Sequence, residues 1–192
     1  RHFIPQSQSA FSGFYLHDYD KLAKTLHELQ EANERKILFL GVTFALLDFA
    51  ERYQNNYSNT IVMETGGMKG QRKEMIREAV HDQIRKGLNV KSVHSEYGMT
   101  ELFSQAYARE DGYFECPFTM DILIRDVNDP FELKKEGQRG GINIIDLANV
   151  DSCAFIETQD LGKWDSSRKD YFKIEGRLDN ADIRGCNLLA GI

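Results

Sequence analysis

The apolar positions of this chain change period along its length. Over residues 18–35, Tyr19, Leu22, Leu26 and Leu29 recur every three or four residues among Lys, His and Glu, which predicts an amphipathic helix capped by Asp18. The fully apolar run Ile37-Leu38-Phe39-Leu40 follows as a buried strand, and Gly41-Val42-Thr43 turns it into an apolar helix over 44–53. Ile61-Val62-Met63 repeats the strand pattern. After a glycine-containing turn over 64–70, Met75, Ile76, Ala79, Val80 and Ile84 mark one side of a helix over 71–86, with Gly87 as its terminator. A third strand is expected over 90–94, running into Ser95-Glu96-Tyr97-Gly98, and a further helix after Thr100-Glu101. Strands apolar on both faces, alternating with helices, belong to a parallel sheet covered by helices.

Beyond Asp111 the pattern shortens. Residues 118–125, 141–147, 153–157 and 171–174 read as strands separated by Asn-Asp-Pro, Glu-Gly-Gln-Arg-Gly and Asp-Ser-Ser-Arg turn signals. The expected fold is α/β: parallel βα units with covering helices, then an antiparallel β subdomain. The expected division is an α/β nucleotide-binding subdomain over 1–110 and a β-rich subdomain over 111–192. The chain opens on Arg1 in mid-pattern and reads as the C-terminal portion of a longer one, incomplete at its N-terminus.

Composition narrows the function classes. The 192 residues are 41% hydrophobic and 28% charged, ordinary for a globular protein. A net charge of −6 gives no electrostatic support to nucleic-acid binding. No stretch approaches the roughly 20 apolar residues that span a bilayer. Cys116, Cys153 and Cys186 are too widely spaced for a disulfide framework or a zinc site, which points to a reducing cytoplasm.

In parallel sheets ligands bind outside the carboxyl ends of the strands. The loops at 41–43, 64–70 and 95–101 therefore share one rim. In the last, Tyr97, Gly98, Thr100 and Glu101 offer an aromatic face, a glycine corner, a hydroxyl and a carboxylate. Such a set suits a base, a close phosphate and a divalent metal, although a packed tyrosine and an N-cap threonine would read the same way. Gly66 and Gly67 would let a planar ligand lie against the backbone, or simply form a tight turn. There is no Walker phosphate loop and no Gly-x-Gly-x-x-Gly. Asp160, in Thr158-Gln159-Asp160-Leu161-Gly162, suits two ribose hydroxyls or a solvated turn. Arg177, in Gly176-Arg177-Leu178-Asp179, suits ribose or phosphate, or a surface salt bridge. Cys186 follows Ile183-Arg184-Gly185, where a thiol is either accessible and activated or a small core residue. His94 reads as packed and His81 as exposed.

Taken together these motifs resemble the adenylate-forming (ANL) superfamily of acyl- and aryl-CoA synthetases, luciferases and peptide-synthetase adenylation domains. Tyr97-Gly98-Met99-Thr100-Glu101 matches its Tyr-Gly-x-Thr-Glu motif. Thr158–Gly162 resembles its Thr-Gly-Asp motif with Gln at the Gly position, and Gly176–Asp179 resembles its Gly-Arg-x-Asp motif. Glu64-Thr65-Gly66-Gly67 sits where the superfamily has adenine-binding glycines. Residues 64–70 and Ile183-Arg184-Gly185-Cys186-Asn187-Leu188 are most similar to the LuxE-type acyl-protein synthetases.

That resemblance implies ATP and Mg²⁺ as cofactors and a fatty or related carboxylic acid as substrate. The acid is activated as an acyl-adenylate and passed to a thiol, with a reductase as the possible partner. It implies Tyr97 on the adenine, with Gly66, Gly67 and Gly98 around the nucleotide. Thr100 falls to the α-phosphate, Glu101 to the metal, Asp160 and Arg177 to the ribose, and Cys186 to the acyl group; residues 41–49 are candidates for the acyl pocket. The superfamily's phosphate loop would lie upstream of Arg1, and its lid domain is absent from the sequence. An acyl/aryl-CoA ligase of the phenylacetate-CoA ligase type, or an inactive ligand-binding relative, remain the alternatives.

Overall fold

The computed structural model describes residues 3–68, 70–73, 75–168 and 170–178. A short helix α1 (Phe3–Gln6) precedes α2 (Tyr19–Ala32), β1 (Ile37–Val42), α3 (Thr43–Arg52), β2 (Thr60–Thr65), α4 (Arg77–Leu88) and β3 (Val93–Tyr97). Six strands follow: β4 (Ala106–Ala108), β5 (Tyr113–Glu115), β6 (Met120–Arg125), β7 (Gly140–Asp146), β8 (Phe155–Trp164) and β9 (Tyr171–Arg177). All nine form one sheet in the order β1-β2-β3-β4-β5-β9-β8-β7-β6. The pairs β1–β2 and β2–β3 are parallel, and every later pair is antiparallel. This is the expected α/β order of parallel units followed by antiparallel strands. No helix among the described residues is long and apolar enough to cross a membrane.

Two cores stabilise the sheet. Leu22 and Leu26 of α2, Leu46, Leu47 and Phe49 of α3, and Val80, Ile84 and Leu88 of α4 close over Val62 and Val93. The second core joins Tyr97 and Leu102 to Phe114, Ile122, Ile142, Ile144 and Phe172. Asp18 caps α2, its carboxylate accepting from the Lys21 amide at 3.2 Å. The opposite face of the parallel strands stays open, with Leu38, Leu40 and Ile61 exposed.

Four local expectations are corrected. The helix expected over 71–86 begins only at Arg77. Ile76 is in extended backbone, and Arg72 pairs instead with Asp48 (3.3 Å) and Glu51 (2.5 Å) of α3. Gly87 does not end that helix; Asn89 does, in the left-handed conformation with φ 49. No helix follows Thr100-Glu101, because the chain turns directly into β4. The Thr158–Gly162 and Gly176–Arg177 motifs are not turns. They lie inside β8 and β9 and are paired there, Asp160 opposite Arg177.

Gly87 has a packing reason for being glycine. A Cβ at this position would sit 2.4 Å from the carbonyl oxygen of Ala50, so the two helices touch backbone to backbone. Alanine gains about 1 kcal/mol of helix propensity over glycine. Overpacking here should outweigh that gain, so Gly87→Ala is expected to lower the unfolding free energy by about 1–3 kcal/mol in urea denaturation.

Candidate functional site

The rim is set by strand register. Val42 stands opposite Thr65 and Thr65 opposite Glu96, so the three parallel strands end side by side. Tyr97 closes β3. Its hydroxyl donates to Asp160 Oδ2 at 2.8 Å. Arg177 Nε lies 3.6 Å from the other carboxylate oxygen of Asp160. In hydrogen-bonding order β4, β5 and β9 lie between β3 and β8. In a flat sheet β3 and β8 would be about 19 Å apart. The sheet must therefore curl to close the Tyr97–Asp160 bond, and a bulge between Leu161 and Gly162 adds local twist beside Asp160.

The Tyr97 ring belongs to the second core, with ring centroids 5.8 Å from both Phe114 and Phe172. Only 9% of the residue is exposed, so a ligand meets a sliver of this ring. Burial, and then the neighbouring charge of Asp160 and the bond to it, push its hydroxyl well above the ordinary tyrosine value. It stays a neutral donor. Asp160 has used one lone pair on Tyr97 and keeps acceptor capacity for other hydroxyls. Thr158 anchors this stretch: its hydroxyl donates to Ile142 O at 2.7 Å and accepts from the Asp160 amide at 3.1 Å.

Gly98, Thr100 and Glu101 are exposed on the loop after β3. Two residues that sequence reasoning missed hold that loop. Buried Asp146 accepts from the Phe103 amide (2.8 Å), the Ser104 amide (2.9 Å) and the Ser104 hydroxyl (2.6 Å). Burial alone would raise its carboxyl, but these donors hold it below the ordinary carboxylate range. Asn149 donates to Glu101 O at 2.7 Å and Cys153 O at 2.9 Å. Thr100, Glu101 and Phe103 form one wall of a groove of about 420 Å³ whose other wall runs from Ser152 to Glu157. Asp160 does not line that groove, so the described site has two parts on one rim. Cys186 and Asp179 lie outside the described residues.

Gly66 takes a positive φ of 74 directly after β2, where glycine is favoured. Gly67 is exposed, and a Cβ added to it would meet nothing within 4 Å. Beneath them lies a cluster that periodicity conceals. Glu64 is 3% exposed. The Thr43 hydroxyl lies 2.7 Å from Glu64 Oε2 and 2.9 Å from Gly66 O, its proton facing both acceptors. Arg77 donates to Glu64 Oε1 at 2.7 Å. His81 Nε2 is 3.6 Å from that same oxygen and 3.2 Å from Ser95 Oγ. His81 is thus packed, not exposed as its sequence position suggests. Glu64 and Ser95 approach one and the same imidazole nitrogen, and Ser95 is fully buried, so this is not a nucleophilic relay. It is a brace between the ends of β2 and β3 and the start of α4. The available signal is the inward parity of Glu64 with Val62, and the four-residue spacing of Arg77 and His81.

Burial raises the Glu64 carboxyl, but His81, Arg77, Ser95 and Thr43 outweigh it and hold it below the ordinary carboxylate range. A depressed folded-state pKa means stability present above the unfolded value and lost as pH falls through the folded one. Glu64→Gln is therefore expected to cost about 2 kcal/mol at neutral pH. The gap to wild type should close as pH drops below the ordinary carboxylate range, read by urea denaturation across pH.

The sequence matches no family model and no curated protein. Solved structures do match. ATP-bound MatB from Rhodopseudomonas palustris superposes with a TM-score of 0.63 at 16% identity, over 86% of this chain and 34% of MatB. O-succinylbenzoate coenzyme A synthetase (MenE) from Bacillus subtilis, in complex with ATP and magnesium ion, gives 0.58 at 18%, over 87% and 36%. 2-Hydroxyisobutyryl-CoA ligase, in complex with 2-HIB-AMP and CoA, gives 0.66 at 16%, over 88% and 41%. The chain spans between about a third and two fifths of these structures. At such identities the likeness is one of fold: this chain shares the architecture of part of each of these structures.

Proposed function

We propose that this chain is the nucleotide-binding part of an ATP-dependent acyl-protein synthetase. A fatty or related carboxylic acid attacks the α-phosphate of ATP to give an acyl-adenylate and pyrophosphate. A cysteine thiol then displaces AMP, and the thioester serves a reductase. The observation that carries this reading is the Tyr97–Asp160 bond, which brings two of the four motifs into direct contact across 63 residues.

The proposed residue roles are those the resemblance implies, and the geometry suits them. Asp160, held by Tyr97 and flanked by Arg177, accepts from ribose hydroxyls. Gly66 and Gly67 let the base approach the backbone, with Tyr97 at its border, and Gly98 keeps the corner beside it open. Thr100 donates to an α-phosphate oxygen. Among the described residues no three His, Cys, Asp or Glu side chains gather as a metal cage. Mg²⁺ suits this arrangement, because it binds through one or two carboxylates plus substrate phosphates. Glu101 is the carboxylate that would hold it, and the ion would neutralise charge at the phosphates. Cys186 is the proposed acyl acceptor. Cys116 is unsuited to that role, since burial, with Asp121 and Asp170 nearby, pushes its thiol up to about 12.

A second reading has free coenzyme A as the thiol, favoured by the coenzyme A ligases among the structural matches. The full-length native protein is expected to catalyse ATP–pyrophosphate exchange with a panel of carboxylic acids, and Glu101→Gln should slow it by roughly 10²-fold or more. Absence of exchange with every acid would remove the adenylation reading. Radiolabelled fatty acid should attach covalently in the presence of ATP and be lost in Cys186→Ser. Thioester formed on coenzyme A by a Cys186→Ala protein would favour the second reading.

A further inference from the structure

Asn149 ends the single helical turn after β7 (residues 147–149) and is 3% exposed. Its amide nitrogen carries two hydrogens, and both are committed to carbonyls, Glu101 O at 2.7 Å and Cys153 O at 2.9 Å. Its oxygen accepts from the Ser152 hydroxyl at 2.5 Å. That last bond sets the orientation of the amide, since a flipped group would turn its oxygen on two carbonyl oxygens. One side chain thus ties together the two walls of the groove beside Thr100 and Glu101. Glu101 itself is exposed and lies on a loop with no helix to fix it. Its backbone position is therefore set largely from beneath.

We propose that Asn149 is a positioning residue for the Glu101 carboxylate, and through it sets the affinity of the site for a divalent cation bound with a nucleoside triphosphate. The inference rests on the adenylation reading and adds a residue that none of the four motifs contains. A supporting residue of this kind typically changes metal affinity 10–100-fold when its hydrogen bonds are removed. A purely structural anchor would lower thermal stability and leave metal affinity as it was.

Asn149→Asp keeps the shape and the acceptor for Ser152 but removes both donors. Ser152→Ala is the milder variant: Ser152 is exposed, and its loss only frees the amide to turn. Mn²⁺ binding, followed by electron paramagnetic resonance in the presence of a non-hydrolysable ATP analogue, reads the effect without turnover. Circular dichroism melting reports the fold. The expected result is about tenfold weaker Mn²⁺ binding in Asn149→Asp. Ser152→Ala should show a smaller loss in the same direction, with a wild-type melt. If Asn149→Asp does not fold, the loss in Ser152→Ala carries the test. Unchanged Mn²⁺ affinity in the folded variants overturns this inference alone. A wild-type protein that binds no nucleotide with Mn²⁺ overturns the adenylation reading and this inference together.

Discussion

The loop between β3 and β4 is where the sheet passes from parallel to antiparallel, and one buried carboxylate holds it. Asp146 reaches it from the end of β7 and takes the amides of Phe103 and Ser104 together with the Ser104 hydroxyl. It also accepts from the Ala148 amide and so starts the turn that presents Asn149. A carboxylate withdrawn from water needs such compensation. The donors here are two loop amides that have no strand partner. The same bonds that satisfy Asp146 thus anchor the loop that carries the exposed Thr100 and Glu101.

A second buried carboxylate does comparable work on the other side of the rim. Glu64 draws its partners from α3, α4 and β3, so its satisfaction requires those elements at fixed spacing. The bare contact at Gly87 lets α4 sit close enough to α3 for this. Fold and site are therefore linked through polar groups at the strand ends, while the apolar cores supply most of the burial.

The βα half is legible in the sequence because its strands read as continuous apolar runs, although the helices cover only one face of them and Leu38, Leu40 and Ile61 stay exposed on the other. What stays hidden is non-local. Ser95 and Glu64 break the apolar pattern because they serve the brace. The apolar run therefore stops at Met63 although β2 continues to Thr65, and only the four-residue spacing from Arg77 marks His81. β4 and β5 are three residues each, too short to show a period. The helix expected after Thr100-Glu101 does not form: the chain turns into β4, and the Phe103 and Ser104 amides are bound by Asp146, more than forty residues away. Of the candidate site, Tyr97, Asp160 and Arg177 stand in motifs whose order along the chain names them. Asn149 and Asp146 do not, since an Asn or Asp in a turn has no sequence mark that reveals a distant carbonyl or amide partner.

The contact between Tyr97 and Asp160 has a consequence for folding order. It joins residues 63 positions apart across three intervening strands, so it forms only after the antiparallel half has curled back on the parallel one. Contacts of such long sequence separation are slow to close. Partly unfolded forms that lack the curl would hold neither side of this pair in place. A ligand that bound there would recognise only the completed fold, and by mass action would protect the slowest-exchanging amides of both halves at once.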